Sequence, residues 1–208
     1  MTTGEQKHYF SSEEGDLASV GSAPRDAHWE AFGRKFTAKT DRGVFSYDHL
    51  DRGTAVLLSL VPEPPAKGTF LDLGCGWGAI ALCLAALSPE ADVWAIDVNP
   101  RARDLVVRNR DIARATNIYV ADPKDVPADL TFDVMWSNPP IRIGKEALHE
   151  LLLTWLARLS PSGVAWLVVQ KNLGSDSLAD WLVGQGYKVT RKGSKKGFRV
   201  LCVTHGHA

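Results

Sequence analysis

The chain has 208 residues, 45% of them hydrophobic, enough for one well-buried domain and short for two. Its 24 basic and 24 acidic residues cancel, so net charge carries no global signature of nucleic-acid binding and any such contact must come from a local patch. No run of about 18 apolar residues offers a membrane span, and the polar N-terminus has no signal-peptide core; the odd set Cys75, Cys83 and Cys202 then fits a cytoplasmic protein with free thiols. His8, His28, His49, His149, His205 and His207 are scattered, so no metal site is expected.

Residues 1–30 read as irregular, with an acidic stretch at Glu13, Glu14 and Asp16. Alternation from Phe32 to Thr40 predicts a strand, followed by a turn at Asp41-Arg42-Gly43 and a short segment Val44-Phe45-Ser46. A helix is expected over 51–61, stopped by Pro62-Glu63-Pro64-Pro65. The period then switches repeatedly. Strand 69–73 leads to an almost wholly apolar helix, 78–88, which must be buried. Strand 92–97 leads to helix 100–114, opened by Pro100. Strands 117–121 and 131–136 precede a helix at 145–159, striped by Leu148, Leu151, Leu152, Trp155, Leu156 and Leu159. Strand 163–170, helix 175–185 and two strands near 187–190 and 197–203 close the chain. The short link between the last two predicts an antiparallel hairpin. The fold class is therefore α/β, a doubly wound, mostly parallel seven-stranded sheet with an antiparallel closing strand and a small β-containing N-terminal extension. Ligands bind such sheets at the carboxyl ends of the strands. We divide the single domain into an extension and lid-like segment, 1–61, and an α/β core, 62–208.

The strand Thr69–Leu73 runs into Gly74-Cys75-Gly76-Trp77-Gly78, a turn that opens into a helix. Such a turn lets a ligand approach the backbone closely, and the helix start offers free N–H groups to an anion. Gly74-x-Gly76-x-x-Ala79 also satisfies the dinucleotide fingerprint, with Asp97 at the distance of a ribose-binding acid. Two features favour S-adenosylmethionine over NAD. Asp72 lies two residues before the first glycine, where it can hold an amino group directly or through water. Asn138-Pro139-Pro140, after the strand Phe132–Ser137, has no role in hydride transfer but can grip an N–H₂ group. The Asn amide oxygen and the next backbone carbonyl would accept both amine hydrogens and aim the nitrogen lone pair at a methyl group, by positioning and electrostatics alone.

Asp97 ends the second core strand and can accept two ribose hydroxyls; its other use is to cap helix 100–114, which Asn99 could do instead. Asp122, at the end of the third strand, is placed either to meet an adenine amino group or to cap the turn at Pro123. Trp77 either flanks the cofactor or packs. Arg191, Lys192, Lys195, Lys196 and Arg199 form the densest basic stretch, open to RNA phosphates or to solvent alone.

These motifs resemble a known family. His8-Tyr9-Phe10-Ser11, Asp41-Arg42-Gly43-Val44-Phe45-Ser46, Asp51-Arg52-Gly53-Thr54, Leu71–Gly78, Asp97-Val98-Asn99 and Asn138-Pro139-Pro140 run in the order seen in small-domain class I methyltransferases. The resemblance covers nearly the whole chain and extends to the catalytic half of the ribosomal small-subunit RNA guanine-N2 methyltransferases. It implies that Asp72, Gly74, Gly76, Gly78, Asp97, Asn99 and Asp122 bind S-adenosyl-L-methionine, with Phe45, Ser46, Asp51 and Thr54 at the cofactor entrance. Asn138 and Pro139 would act on the target amine. Pro140, Ile141, Arg142, Lys195 and Lys196 would meet a ribosomal RNA substrate. Two departures stand out: the family often carries a preceding degenerate copy of the domain, and its triplet is usually followed by an aromatic that stacks on a base. Here Ile141-Arg142 follows; Arg142, Phe10 or Phe45 could stack instead. A protein glutamine N-methyltransferase and a catalytically silent ribosome-assembly module are the competing expectations.

Overall fold

Period-two burial builds the first element. Ala27, Trp29 and Ala31 are buried between exposed neighbours, forming strand β1 (Arg25–Ala31) where an irregular segment was expected. The computed structural model describes residues 23–46 and 49–206, so His8-Tyr9-Phe10-Ser11 lies outside the described residues. β1 pairs antiparallel with β2 (Arg34–Thr40), which starts two residues later than the alternation suggested. Phe32 and Gly33 form the turn instead, both at positive φ (52° and 68°). A phenylalanine rarely adopts this backbone. Its ring stacks on buried Trp136 at 5.9 Å, which holds the turn down on the core.

Helix α1 (Arg52–Leu60) is capped by Asp51, whose carboxylate accepts from Thr54 N at 3.0 Å, and it stops before Pro62. The core then follows as β3 (Lys67–Leu73), α2 (Ala79–Leu87), β4 (Glu90–Ile96), α3 (Pro100–Ala113), β5 (Ile118–Ala121) and β6 (Phe132–Ser137). Next come α4 (Lys145–Leu156), β7 (Leu159–Gln170), α5 (Ser175–Gly184), β8 (Tyr187–Lys195) and β9 (Phe198–His205). The seven core strands lie in the order β5-β4-β3-β6-β7-β9-β8, with β9 antiparallel to both of its neighbours. The expected closing hairpin is thus present, and its two-residue turn, Lys196-Gly197, again has positive φ at both positions.

Leu159 departs from the expected helical stripe. Helix α4 ends at Leu156, and Leu159 opens β7, opposite Phe132. Pro161 cannot continue a helix, and Arg158 holds the turn by donating to the carbonyl of Leu130 while lying over the Trp155 ring at 4.8 Å.

The sheet separates two cores. One gathers Val56, Leu57, Ile80, Val106 and the Trp29 side of the β1–β2 hairpin; the other gathers Leu148, Leu152, Trp155, Leu178 and Leu182. The hairpin lies over α2 and donates from Trp29 Nε1 to Cys83 Sγ, so Ala79 to Ala85 of that helix are all buried. Successive β3 residues face opposite cores, Phe70 the first and Leu71 the second. Strand order reverses at β3, which pairs with β4 on one side and β6 on the other. The crevice above that reversal is where ligands of doubly wound sheets bind.

Candidate active site

A cavity of about 450 Å³ opens at the carboxyl ends of β3, β4 and β6. Ser137 Oγ donates to Leu73 O at 2.7 Å and ties the end of β6 to the end of β3, so Asn138 stands beside the glycine turn. Gly74 (φ 73°) and Gly76 (φ 53°) line the cavity in a left-handed backbone, and a Cβ on either would meet nothing within 4 Å. Bare backbone therefore faces open space, the cradle a close-approaching ligand needs. Gly78 also has positive φ (92°) but caps α2 against Val106, away from the cavity wall.

Asp97 lies on the wall. Its two oxygens accept from Gly76 N and Asn99 N, each at 2.9 Å. Burial raises its carboxyl pKa, opposed by those amide donors and by Arg103. Asn99 also borders the cavity, but its side chain caps α3 through Arg101 N (3.0 Å) and donates to Gly43 O (2.9 Å). That second bond fastens the Asp41–Ser46 strap across the strand ends. Trp77 fastens the same strap, donating from Nε1 to Ser46 O at 3.1 Å. It packs edge-on against Trp29 and sits in a smaller recess of about 40 Å³ with Ser46, Thr54, Ala79 and Ile80. Phe45 is 67% exposed and borders both spaces.

Two expected cofactor residues are not among those lining the cavity. Asp72 is fully buried on the α2 side of β3, where its carboxylate accepts from Ala81 N at 2.9 Å. The strand's pleat aims it under the turn rather than into the cavity. Its other oxygen has no partner among the described residues, and burial pushes its pKa up to about 8, with the Ala81 N–H acting against the shift and the Asp97 charge adding to it. Asp122 caps the turn at Pro123 by accepting from Lys124 N at 3.2 Å, and it pairs with Arg103 at 3.2 Å.

At the other end of the cavity, Asn138 Nδ2 donates to Asp51 Oδ2 (2.7 Å) and Thr54 Oγ1 (3.2 Å). A carboxylate only accepts, so this contact fixes the amide orientation. Oδ1 has no protein donor among the described residues, and Asn138 lines the cavity. Pro139 O accepts from Ile141 N at 2.9 Å and keeps a second lone pair. Pro139, Pro140, Ile141 and Arg142 all border the cavity. The Asp51–Asn138 bond joins residues 87 apart and has no signature in the sequence.

Lys195 and Lys196 lie at the tip of the β8–β9 hairpin, off the cavity wall, though the adjacent Phe198 is on it. Arg191 (2.8 Å) and Arg199 both pair with Asp176, which neutralises part of the basic run. Among the described residues no group of three His, Cys, Asp or Glu side chains could hold a metal ion, and no helix is long and apolar enough to cross a membrane.

The family model of the methyltransferase small domain matches residues 35–202. The chain belongs to that family. YbxB of Bacillus subtilis (strain 168), an uncharacterized protein, is 34% identical over 198 residues, which cover 94% of this chain and 96% of that one. The ribosomal RNA small subunit methyltransferase C of Acinetobacter baylyi is 34% identical over 168 residues, covering 76% of this chain but 48% of that protein. The chain thus spans about half the length of the ribosomal RNA methyltransferases it matches. Among solved structures, the T. Thermophilus 16S rRNA N2 methyltransferase RsmC, in complex with AdoMet and guanosine, superposes with a TM-score of 0.75 at 24% identity, over 89% of this chain and 51% of that one. That likeness shows the methyltransferase small domain fold.

Proposed function

We propose that this methyltransferase small domain protein transfers a methyl group from S-adenosylmethionine to the exocyclic amino group of a guanine in ribosomal RNA. The observation that carries the reading is Asn138, a cavity-lining residue whose Nδ2 is held by Asp51 and Thr54, which leaves Oδ1 without a donor among the described residues. The residues present fit the cofactor. Gly74 and Gly76 leave bare backbone toward open space, Asp97 offers acceptors at the wall, and Ala79 and Ile80 open α2 at the adjoining recess, where a carboxylate is favoured. When bound, the cofactor supplies an electrophilic methyl group.

The chain's own task is then to hold and orient the amine. Asn138 Oδ1 and the spare lone pair of Pro139 O would accept the two amine hydrogens and draw the nitrogen lone pair out of ring conjugation. Asp51 would keep the amide from turning its NH₂ toward the substrate, where two donors would repel. Such preorganised acceptors act without reorganisation at the moment of transfer. Arg142, on the wall, and Lys195 and Lys196, on the hairpin tip beside it, would meet RNA phosphates.

Incubation with labelled S-adenosylmethionine and either protein-free ribosomal RNA or ribosomal and release-factor proteins tests the reading. Label in RNA supports it; label confined to protein transfers the chain to glutamine methylation, and no label in either leaves a binding module.

A further inference from the structure

The aromatic expected after Asn138-Pro139-Pro140 is replaced by Ile141, whose side chain packs partly into the core beneath α4. A flat base held at Asn138 still needs a flat wall. Phe198, at the start of β9, lines the cavity. It lies directly across from Gln170 in the β7–β9 ladder, so the two side chains share one face of the sheet, and Gln170 lines the cavity as well. Phe198 also stands close to the amine-gripping atom. A Cβ placed on Gly53 would lie 3.1 Å from Phe198 Cε1, 3.2 Å from Asn138 Oδ1 and 2.9 Å from Asp51 Oδ2. The ring edge, the free acceptor and its anchoring carboxylate therefore converge over one glycine.

We propose that Phe198, brought to the cavity by the antiparallel closing strand, is the surface on which the target base stacks, and that Gly53 is the vacancy that keeps the corner between that ring and Asn138 open. This rests on the reading of the site as a nucleobase amine methyltransferase. Of the other flat groups on the wall, Phe45 belongs to the strap fastened at the glycine end by Asn99 and Trp77, and Arg142 sits in an exposed three-residue turn. It serves the phosphates and not the base. Gln170, beside the ring, presents an amide that can both donate to and accept from a base edge.

Steady-state transfer of labelled methyl to protein-free small-subunit ribosomal RNA tests this, with cofactor affinity measured in parallel. Phe198→Leu keeps the bulk and removes the aromatic face; it should raise the KM for RNA by roughly 5- to 150-fold, the range for one stacked base, with cofactor affinity unchanged. Phe198→Tyr should restore it. Gly53→Ala should impair RNA methylation without weakening cofactor binding, and it carries the test if Phe198→Leu does not fold. The proposal is overturned if Phe198→Leu leaves the KM unchanged, if Phe198→Tyr is as impaired as Phe198→Leu, if Gly53→Ala is silent, or if Arg142→Ala takes the whole loss in KM. A wild-type protein that binds the cofactor but leaves RNA unlabelled removes the RNA reading itself, and the base-stacking wall with it.

Discussion

The glycine end of the cavity is made from two short stretches, residues 74–76 and 97–99, with bare backbone at Gly74 and Gly76 and one carboxylate, Asp97. The Asn138 end takes Asp51 from the cap of α1, Thr54 from its first turn, Asn138 from the end of β6 and Phe198 from β9, and it works through side chains. A backbone cradle tolerates change of side chain wherever the dihedral angles survive, whereas a corner assembled from distant side chains loses its geometry when any one is removed. Substitutions at the two ends should therefore separate cleanly, cofactor affinity from turnover.

The largest effect is expected at Asn138. Asn138→Ala should lower turnover by roughly a hundredfold or more, in line with loss of a single preorganised polar group, while calorimetric cofactor affinity barely moves. Equal losses in both would erase the distinction between the ends. Asp97→Ala should do the converse, weakening cofactor binding by about ten- to a hundredfold, since a hydrogen bond to a charged group is worth about 1.5–3 kcal/mol. Asp51→Ala sharpens the comparison from a residue on the amine side. It removes the α1 cap, a stability loss of about 1 kcal/mol in thermal unfolding, and frees the Asn138 amide to turn, so kcat should fall while cofactor affinity holds.

How much of this was legible in the sequence follows the same division. Gly74, Gly76 and Asp97 lie within one βαβ unit, and local spacing was enough to find them. Asn138 was found because prolines mark its turn. The Asp51–Asn138 bond and the approach of Phe198 depend on sheet order, which brings together segments far apart in sequence, and no local period reports that. Asp72 is expected to hold the cofactor's amino group because it precedes the glycines, but strand pleating buries it against α2. Leu159 fitted a helical stripe because a buried strand residue and a buried helix residue are equally apolar. β1 was missed because Ala, His and Asp carry little strand propensity, although its alternation is plain once Trp29 is seen against α2.

Smaller effects concern surface and core. Replacing Lys195 and Lys196 together with Ala should flatten the salt dependence of RNA binding by roughly 0.7 log units per lost contact per tenfold salt. Arg191→Ala should change it less, because Asp176 already pairs with that side chain. Asp72→Asn should alter stability rather than binding. The folded carboxyl pKa of about 8 lies above its ordinary 3.8, so the folded protein holds a proton that the unfolded chain releases, and stability falls as pH rises through that window. The Asn variant should be the more stable of the two at neutral pH and show a flatter profile from pH 4 to 8 in thermal unfolding. A variant with the wild-type profile would mean that Asp72 does not titrate there.

The most direct measurement is the identity of the methylated nucleoside. Ribosomal RNA labelled by the wild-type protein, digested to nucleosides and separated, should carry the methyl group on the guanine amino nitrogen, with a far lower yield of that product from Asn138→Ala in the same time. Label on a ribose, on another ring position or in protein alone, or an undiminished yield from Asn138→Ala, would contradict the account.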